Sequence, residues 1–391
     1  MTTRNDTIEV IGPTPPPYHG VSVATQVLLD ALPHSQLAVV HLDTADRRGI
    51  AHVDQPDLWD VFLFIRQWFA HLFILLRKRP RICYLPLSQS RVGFLRDSLF
   101  MVPAFLTGSA VVAHLHGANF YQVYEGGGTA FKWYVDQVLK RVAKFVVLGD
   151  MLKPIFHRWA SLESIAVVPN GVPELSTDGS PGPHCVRSAG PRIVFLSTLS
   201  RNKGLFVLLD AVPLVVQEFP TAEFHIAGPW WGADTERLVR AQLEQGNVSS
   251  QVIFHGQLAG AKKMAFLRSG DLFVFPGIQQ EGQPLTVLEA MCAGLPVIAT
   301  DRGCLRETVM EGETGFVVPP NSPTAIAERI LLLLREPHIR QRLGANARLR
   351  YEREYTMPLY AARMADLFAQ VSQSDYHENP KSMDSRHWSI R

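Results

Sequence analysis

Short, continuously apolar runs alternate along the chain with longer segments in which apolar residues recur every third or fourth position. The runs at 7–12 (TIEVIG), 37–42 (LAVVHL), 81–87 (RICYLPL), 110–117 (AVVAHLHG), 145–149 (FVVLG) and 165–170 (IAVVPN) read as strands. Helical spacing fills the gaps, notably at 21–32, 58–77, 95–107 and 129–142. Apolar strands separated by helices predict a parallel sheet covered on both faces. Residues 171–191, rich in Pro, Gly and Ser, break this rhythm. It then restarts, with strands expected at 192–197, 223–228, 252–256, 272–277, 296–300 and 315–319 and terminal helices at 323–335, 337–350 and 358–372. The expected organisation is a first α/β domain over 1–175, a linker over 176–191, a second α/β domain over 192–352, a helix at 353–373 returning to the first domain, and a polar, disordered tail at 374–391. Two such doubly wound domains predict a cleft lined by the carboxyl ends of both sheets, where a ligand binds.

Composition narrows the function. A net charge of +2 on 391 residues gives no support to nucleic-acid binding. The cysteines Cys83, Cys185, Cys292 and Cys304 are scattered, with no CxxC pair, which points to a reducing compartment. The polar start MTTRNDT does not read as a secretory signal, so a cytoplasmic protein is expected. The segment 61–76 (VFLFIRQWFAHLFILL) is shorter than the roughly 20 apolar residues of a membrane span and carries Arg66, Gln67 and His71. As a helix it has a stripe of Val61, Ile65, Trp68, Leu72 and Leu75 suited to face a sheet, but Phe62, Phe69, Phe73 and Leu76 make it wider than one sheet covers. Residues 61–158 hold 13 Lys and Arg against 4 Asp and Glu, and the run Arg77-Lys78-Arg79-Pro80-Arg81 follows the aromatic segment directly. This pairing of aromatic and basic residues suits peripheral contact with an anionic membrane surface, on its inner face for a cytoplasmic protein.

The candidate chemistry gathers at 281–291, EGQPLTVLEAM. A strand ends just before it, and Pro284 suits the first position of a helix. Glu281 and Gly282 would then lie at a helix N-terminus, where free N–H groups and the positive end of the helix dipole favour phosphate. Glu289, farther along the helix, could accept two hydroxyl hydrogen bonds from a ribose or a sugar. Spacing alone leaves open a merely capped helix with a solvated Glu289.

The longer string EGQPLTVLEAMCAGLPVIATD (281–301) resembles the E-x7-E signature of the retaining nucleotide-sugar glycosyltransferases of family four, which have the GT-B fold of two facing Rossmann-like domains. FLSTLSRNKG (195–204), VIFHGQL (252–258), TGFVVPPN (314–321), PPPYHGVSVAT (15–25) and HLHGANF (114–120) are similar to further motifs of that family. The resemblance implies transfer of a sugar from a nucleotide diphosphate, UDP ahead of GDP, to a hydroxyl of a glycan or lipid-linked acceptor with retention of configuration. It implies that Lys203 meets the donor diphosphate, with Arg201 in place of an arginine the family carries where Thr198 stands. It further implies donor contacts by Gly20, Gly282, Gln283, Leu285 and Glu289, and catalytic roles for Glu281 and for His116, with His114 on the same strand face. No D-x-D pair and no G-x-G-x-x-G occur in the chain, so neither a divalent metal nor a nicotinamide cofactor is expected. Two other readings stay open: a catalytically silent sugar-nucleotide-binding partner subunit, and a nucleotide-sugar epimerase.

Overall fold

A computed structural model of the chain describes residues 7–16, 20–32, 38–48, 57–174, 190–232 and 234–373. Most of the expected linker and the whole expected tail lie outside these residues. The chain divides into two compact units, Met1–Val168 with Tyr360–Arg391, and Pro169–Leu359.

The first unit is built on β1 (Thr7–Gly12), β2 (Ala38–Asp43), β3 (Ile82–Pro86), β4 (Ala110–Leu115), β5 (Lys144–Val147) and β6 (Ile165–Val167). They form one parallel sheet in the order β2-β1-β3-β4-β5-β6. Their side chains are Val-, Ile- and Ala-rich and mostly fully buried, which is why the strands read as apolar runs and not as alternating ones. Helices α1 (Gly20–Ala31), α2 (Leu58–Lys78), α3 (Arg91–Leu106), α4 (Phe120–Glu125) and α5 (Thr129–Leu139) connect them. Asp57 caps α2 by accepting from the Asp60 N–H, while Asp60 returns a bond to the Asp57 N–H, a reciprocal box that fixes where the helix starts. Ser90 does the same one-sidedly for α3, which therefore begins at Arg91, earlier than the expected 95.

The orientation of α2 departs in part from expectation: Leu75 is buried and Trp68 and Leu72 are half-buried, as expected, but the other two residues of the stripe are not. Val61 and Ile65, expected to face the sheet, are about half exposed at 55% and 47%, and the residues that α2 buries are Gln67, His71 and Leu75. The reason is polar. Glu9, fully buried on β1, hydrogen-bonds His71 Nδ1 at 2.8 Å, and His71 Nε2 bonds the Phe100 carbonyl of α3 at 2.9 Å. A carboxylate buried at this point needs a partner, and meeting it turns the polar side of the helix inward.

The second unit carries β7 (Arg192–Leu196), β8 (Glu223–Ala227), β9 (Val252–Phe254), β10 (Leu272–Phe275), β11 (Val297–Thr300) and β12 (Gly315–Val318), parallel in the order β12-β11-β10-β7-β8-β9. Its helices are α6 (Leu205–Val216), α7 (Thr235–Gln245), α8 (Gly260–Arg268), α9 (Leu285–Cys292), α10 (Leu305–Thr308), α11 (Pro323–Arg335) and α12 (Pro337–Glu354). One apolar cluster packs α6 and α11 on one face, and another packs α9 and part of α12 on the other. The last helix, α13 (Met357–Gln373), belongs to the first unit from Tyr360 onward and buries Tyr360, Met364, Leu367 and Phe368 there, with Phe368 edge-on to Tyr84 of β3.

The strand order of the second unit reverses between β7 and β10. In an open parallel sheet this reversal leaves a crevice at the carboxyl ends, because the following loops leave to opposite faces. The two loops concerned run from Ser197 to Gly204 and from Pro276 to Pro284.

Candidate functional site

Those two loops are tied together. Gly204 adopts φ +79°, and a Cβ built on it would lie 1.8 Å from the Pro276 carbonyl oxygen, so only glycine permits this approach. The Ile278 N–H donates to the Asn202 carbonyl at 3.0 Å, and Ser200 Oγ accepts from the Lys203 N–H at 3.3 Å. Lys203 is thereby aimed at Glu281, and its Nζ stands 2.7 and 2.9 Å from the two carboxylate oxygens. Gln279 Nε2 donates to Glu281 Oε1 at 3.1 Å. From the far side Gly303, at φ +54°, comes so close that a Cβ would lie 1.6 Å from the Glu281 carbonyl oxygen, and the Cys304 N–H reaches the Gly282 carbonyl at 3.2 Å. Glu281 is buried, 7% exposed, with its orientation fixed from both sides.

Helix α9 then begins one residue later than expected. Pro284 has ψ 123° and is the N-cap, not the first helical residue; Leu285 is the first. The Leu285 and Thr286 N–H groups therefore open the first turn, where no intrahelical partner exists. Gln283 is already engaged: its Oε1 accepts from the Asn170 N–H at 2.7 Å and its Nε2 donates to Thr308 Oγ1 at 3.2 Å. Its side chain braces the turn and its carbonyl accepts from Asn170 Nδ2 at 3.0 Å, which leaves its backbone N–H as what it can offer a ligand.

Glu289 is buried, not solvated, at 7% exposure. Lys263 of α8 holds Oε1 at 2.5 Å, while Oε2 is buried without a hydrogen-bond partner among the described residues. Burial pushes the Glu289 carboxyl above its ordinary value, and Lys263 offsets part of that rise. A buried acceptor oxygen left unpaired is costly, and a hydroxyl donor reaching it on a small turn of the side chain would satisfy it. Lys263 carries no signal in the sequence. It lies 26 residues before its partner, on a helix with no motif of its own.

Arg201 is exposed and lays its guanidinium over the Phe206 ring, 4.3 Å from the centroid. That contact leaves its hydrogen-bonding edge outward.

In the first unit, His116 follows directly after β4. Its ring lies 3.9 Å from that of His114, centroid to centroid. His114 is fully buried and its Nδ1 shares a 2.8 Å hydrogen bond with the Tyr84 hydroxyl; His116 Nε2 is 3.5 Å from the same oxygen. Burial lowers the His116 pKa to about 4 and holds His114 well below its ordinary value, so both rings are neutral at pH 7. His116 is the more accessible of the two. Gly20 opens α1 and is exposed, and among the described residues a Cβ there would meet nothing within 4 Å beyond its chain neighbours.

The family described as "Glycosyl transferases group 1" matches residues 184–350, which spans most of the second unit. A phosphatidyl-myo-inositol mannosyltransferase of Mycobacterium leprae is 32% identical over 232 residues, 58% of this chain and 58% of that protein. The putative colanic acid biosynthesis glycosyltransferase WcaL of Escherichia coli is 29% identical over 197 residues, 46% of this chain and 47% of that protein. The chain thus spans less than two thirds of these relatives. Among solved structures, a glycosyltransferase from Rickettsia africae superposes with a TM-score of 0.76 at 16% identity, covering 95% of this chain and 99% of that one. Anabaena Alr3699/HepE in complex with UDP superposes with a TM-score of 0.72 at 17% identity, covering 93% and 100%. The two Rossmann-like units are those of the GT-B fold.

Proposed function

We propose that the chain is a retaining glycosyltransferase that moves a sugar from a nucleotide diphosphate, UDP ahead of GDP, to a hydroxyl of a glycan or lipid-linked acceptor. The observation that carries this reading is the pair of buried carboxylates around the α9 N-terminus. Each is gripped by one lysine, and Glu289 keeps a bare oxygen. Glu289 Oε2 receives a ribose hydroxyl. The α9 N-terminus, with the backbone of Gly282, Gln283 and Leu285, takes the diphosphate. Lys203 has three donors; Glu281 uses part of them and the diphosphate takes the rest. Arg201 supplies a second cation from its exposed edge. Glu281 holds the sugar hydroxyls and supports positive charge developing at the anomeric carbon.

The bond from the anomeric carbon to the diphosphate oxygen breaks, and the acceptor oxygen bonds that carbon from the same face. The acceptor proton passes to the departing phosphate. No protein nucleophile or divalent metal takes part in this scheme. His116, neutral at pH 7, hydrogen-bonds the donor without charging, and Gly20 leaves room for it.

Support for UDP comes from the Alr3699/HepE complexes with UDP and with UDP-glucose. Support for a lipid-linked acceptor comes from the mycobacterial relative, whose name contains a phosphatidylinositol. The test is incubation with UDP-, GDP- and ADP-sugars, with and without acceptor extracts, while following nucleotide release. Acceptor-dependent release of UDP or GDP is the expected result. Binding without release in every mixture would replace this reading with a silent subunit, and epimerised donor would replace it with an epimerase.

A further inference from the structure

Helix α2 buries Gln67, His71 and Leu75 against the protein and leaves a long apolar stripe facing outward. Leu58, Phe62, Ile65, Phe69, Phe73 and Leu76 recur at spacings of three and four, so they form one stripe along the whole helix. All six are exposed, from 47% for Ile65 to 88% for Leu58. The neighbouring α3, tied to α2 by the Trp68 Nε1 bond to the Leu99 carbonyl at 3.0 Å, adds exposed Val92, Leu95, Leu99 and Leu106 at the same kind of spacing. A soluble surface does not carry so many large apolar side chains on one face without something to bury them.

We infer that this face docks on the surface of a bilayer that contains anionic lipid. The charges choose this occupant. Arg66 flanks the stripe, and Arg77, Lys78 and Arg79 close its carboxyl end; all four are exposed and have no carboxylate partner among the described residues. The acids at the other end, Asp57 and Asp60, are both held by Arg48, at 2.5 and 2.8 Å. A second copy packed antiparallel on α2 would bring the basic end to carboxylates already taken, and a parallel one would set the two basic ends together. Lipid phosphates meet these cations with no such conflict.

By length and composition α2 could cross a membrane. Crossing would strip Glu9 and the Phe100 carbonyl of His71, so the helix lies along the interface with its inner side bonded to the sheet. The docking stands without the transferase reading, since it uses none of the proposed site.

The test is co-sedimentation of the full chain with phosphatidylcholine vesicles, with and without phosphatidylglycerol, alongside size-exclusion light scattering without lipid. The expected result is binding that requires phosphatidylglycerol and weakens with salt. Phe69→Glu/Phe73→Glu should abolish it, and Arg77→Ala/Lys78→Ala/Arg79→Ala should lower partitioning on the order of a hundredfold. Both variants change exposed side chains, and unaltered circular dichroism checks that they fold. Sedimentation unchanged in either variant would overturn the inference. So would a lipid-free dimer that Phe69→Glu/Phe73→Glu converts to monomer, because the face would then be covered by a second copy.

Discussion

At the scale of single residues, burial decides what each candidate can do. The setting of the paired glutamates was legible because the string marks a loop turning into a helix; their burial, at 7% exposure each, was not. Lys263 was not legible. A lone lysine on a helix carries no local signal, and only the fold brings it to Glu289. His116 yields a prediction with a defined sign. Its pKa is about 4 in the folded chain, against an ordinary value near 6.5 when exposed. Between these values the unfolded state binds the proton more, so its contribution to stability is full above about pH 6.5 and is lost as pH falls toward 4. The loss from His116 alone is at most about 3 kcal/mol. Denaturant titrations at stepped pH should show that slope, reduced in His116→Asn. A slope unchanged by the substitution would mean that the ring is not held neutral by burial.

At the scale of elements, the strands were the readable part. Each expected strand appears with both ends within two residues of its place, except the one expected at 165–170, which stops at Val167; a strand buried on both faces is apolar throughout, and its ends are marked by Gly, Pro or charged residues. Helix α2 shows where the pattern fails. Of the stripe expected to face the sheet, Leu75 is buried and Trp68 and Leu72 are half-buried, while Val61 and Ile65 are exposed, since periodicity gives a stripe but not how far the helix is rotated against the sheet. That choice belongs to Glu9, 62 residues away on β1. Replacing His71 by leucine would leave this buried carboxylate with only the weak Cys83 thiol donor at 3.4 Å, so His71→Leu should cost about 3 kcal/mol despite adding apolar bulk to a helix. Urea unfolding measures it. A cost below about 1 kcal/mol would mean that apolar packing alone holds α2. Pro284 is a smaller case of the same kind: its type fits both N-cap and first helical position, and only backbone geometry distinguishes them.

At the scale of the whole molecule, the order of strands does what no single motif does. The reversal between β7 and β10 sends one loop to Lys203 and the next to Glu281, and the close approaches of Gly204 and Gly303 lock those loops in register. The duplicated α/β rhythm foretold two units, yet the sheets differ in strand order, a difference that alternation of strands and helices does not encode. The proposed site in the second unit holds a nucleotide diphosphate, with Glu289 on its ribose. Isothermal titration of UDP and GDP into the unaltered chain and into Glu289→Gln tests it most directly. The account predicts saturable binding of at least one nucleotide and a dissociation constant raised about tenfold or more in the variant, the loss of roughly one charge-assisted hydrogen bond. Equal affinity of the two proteins, or binding of neither nucleotide to the unaltered chain, would contradict it.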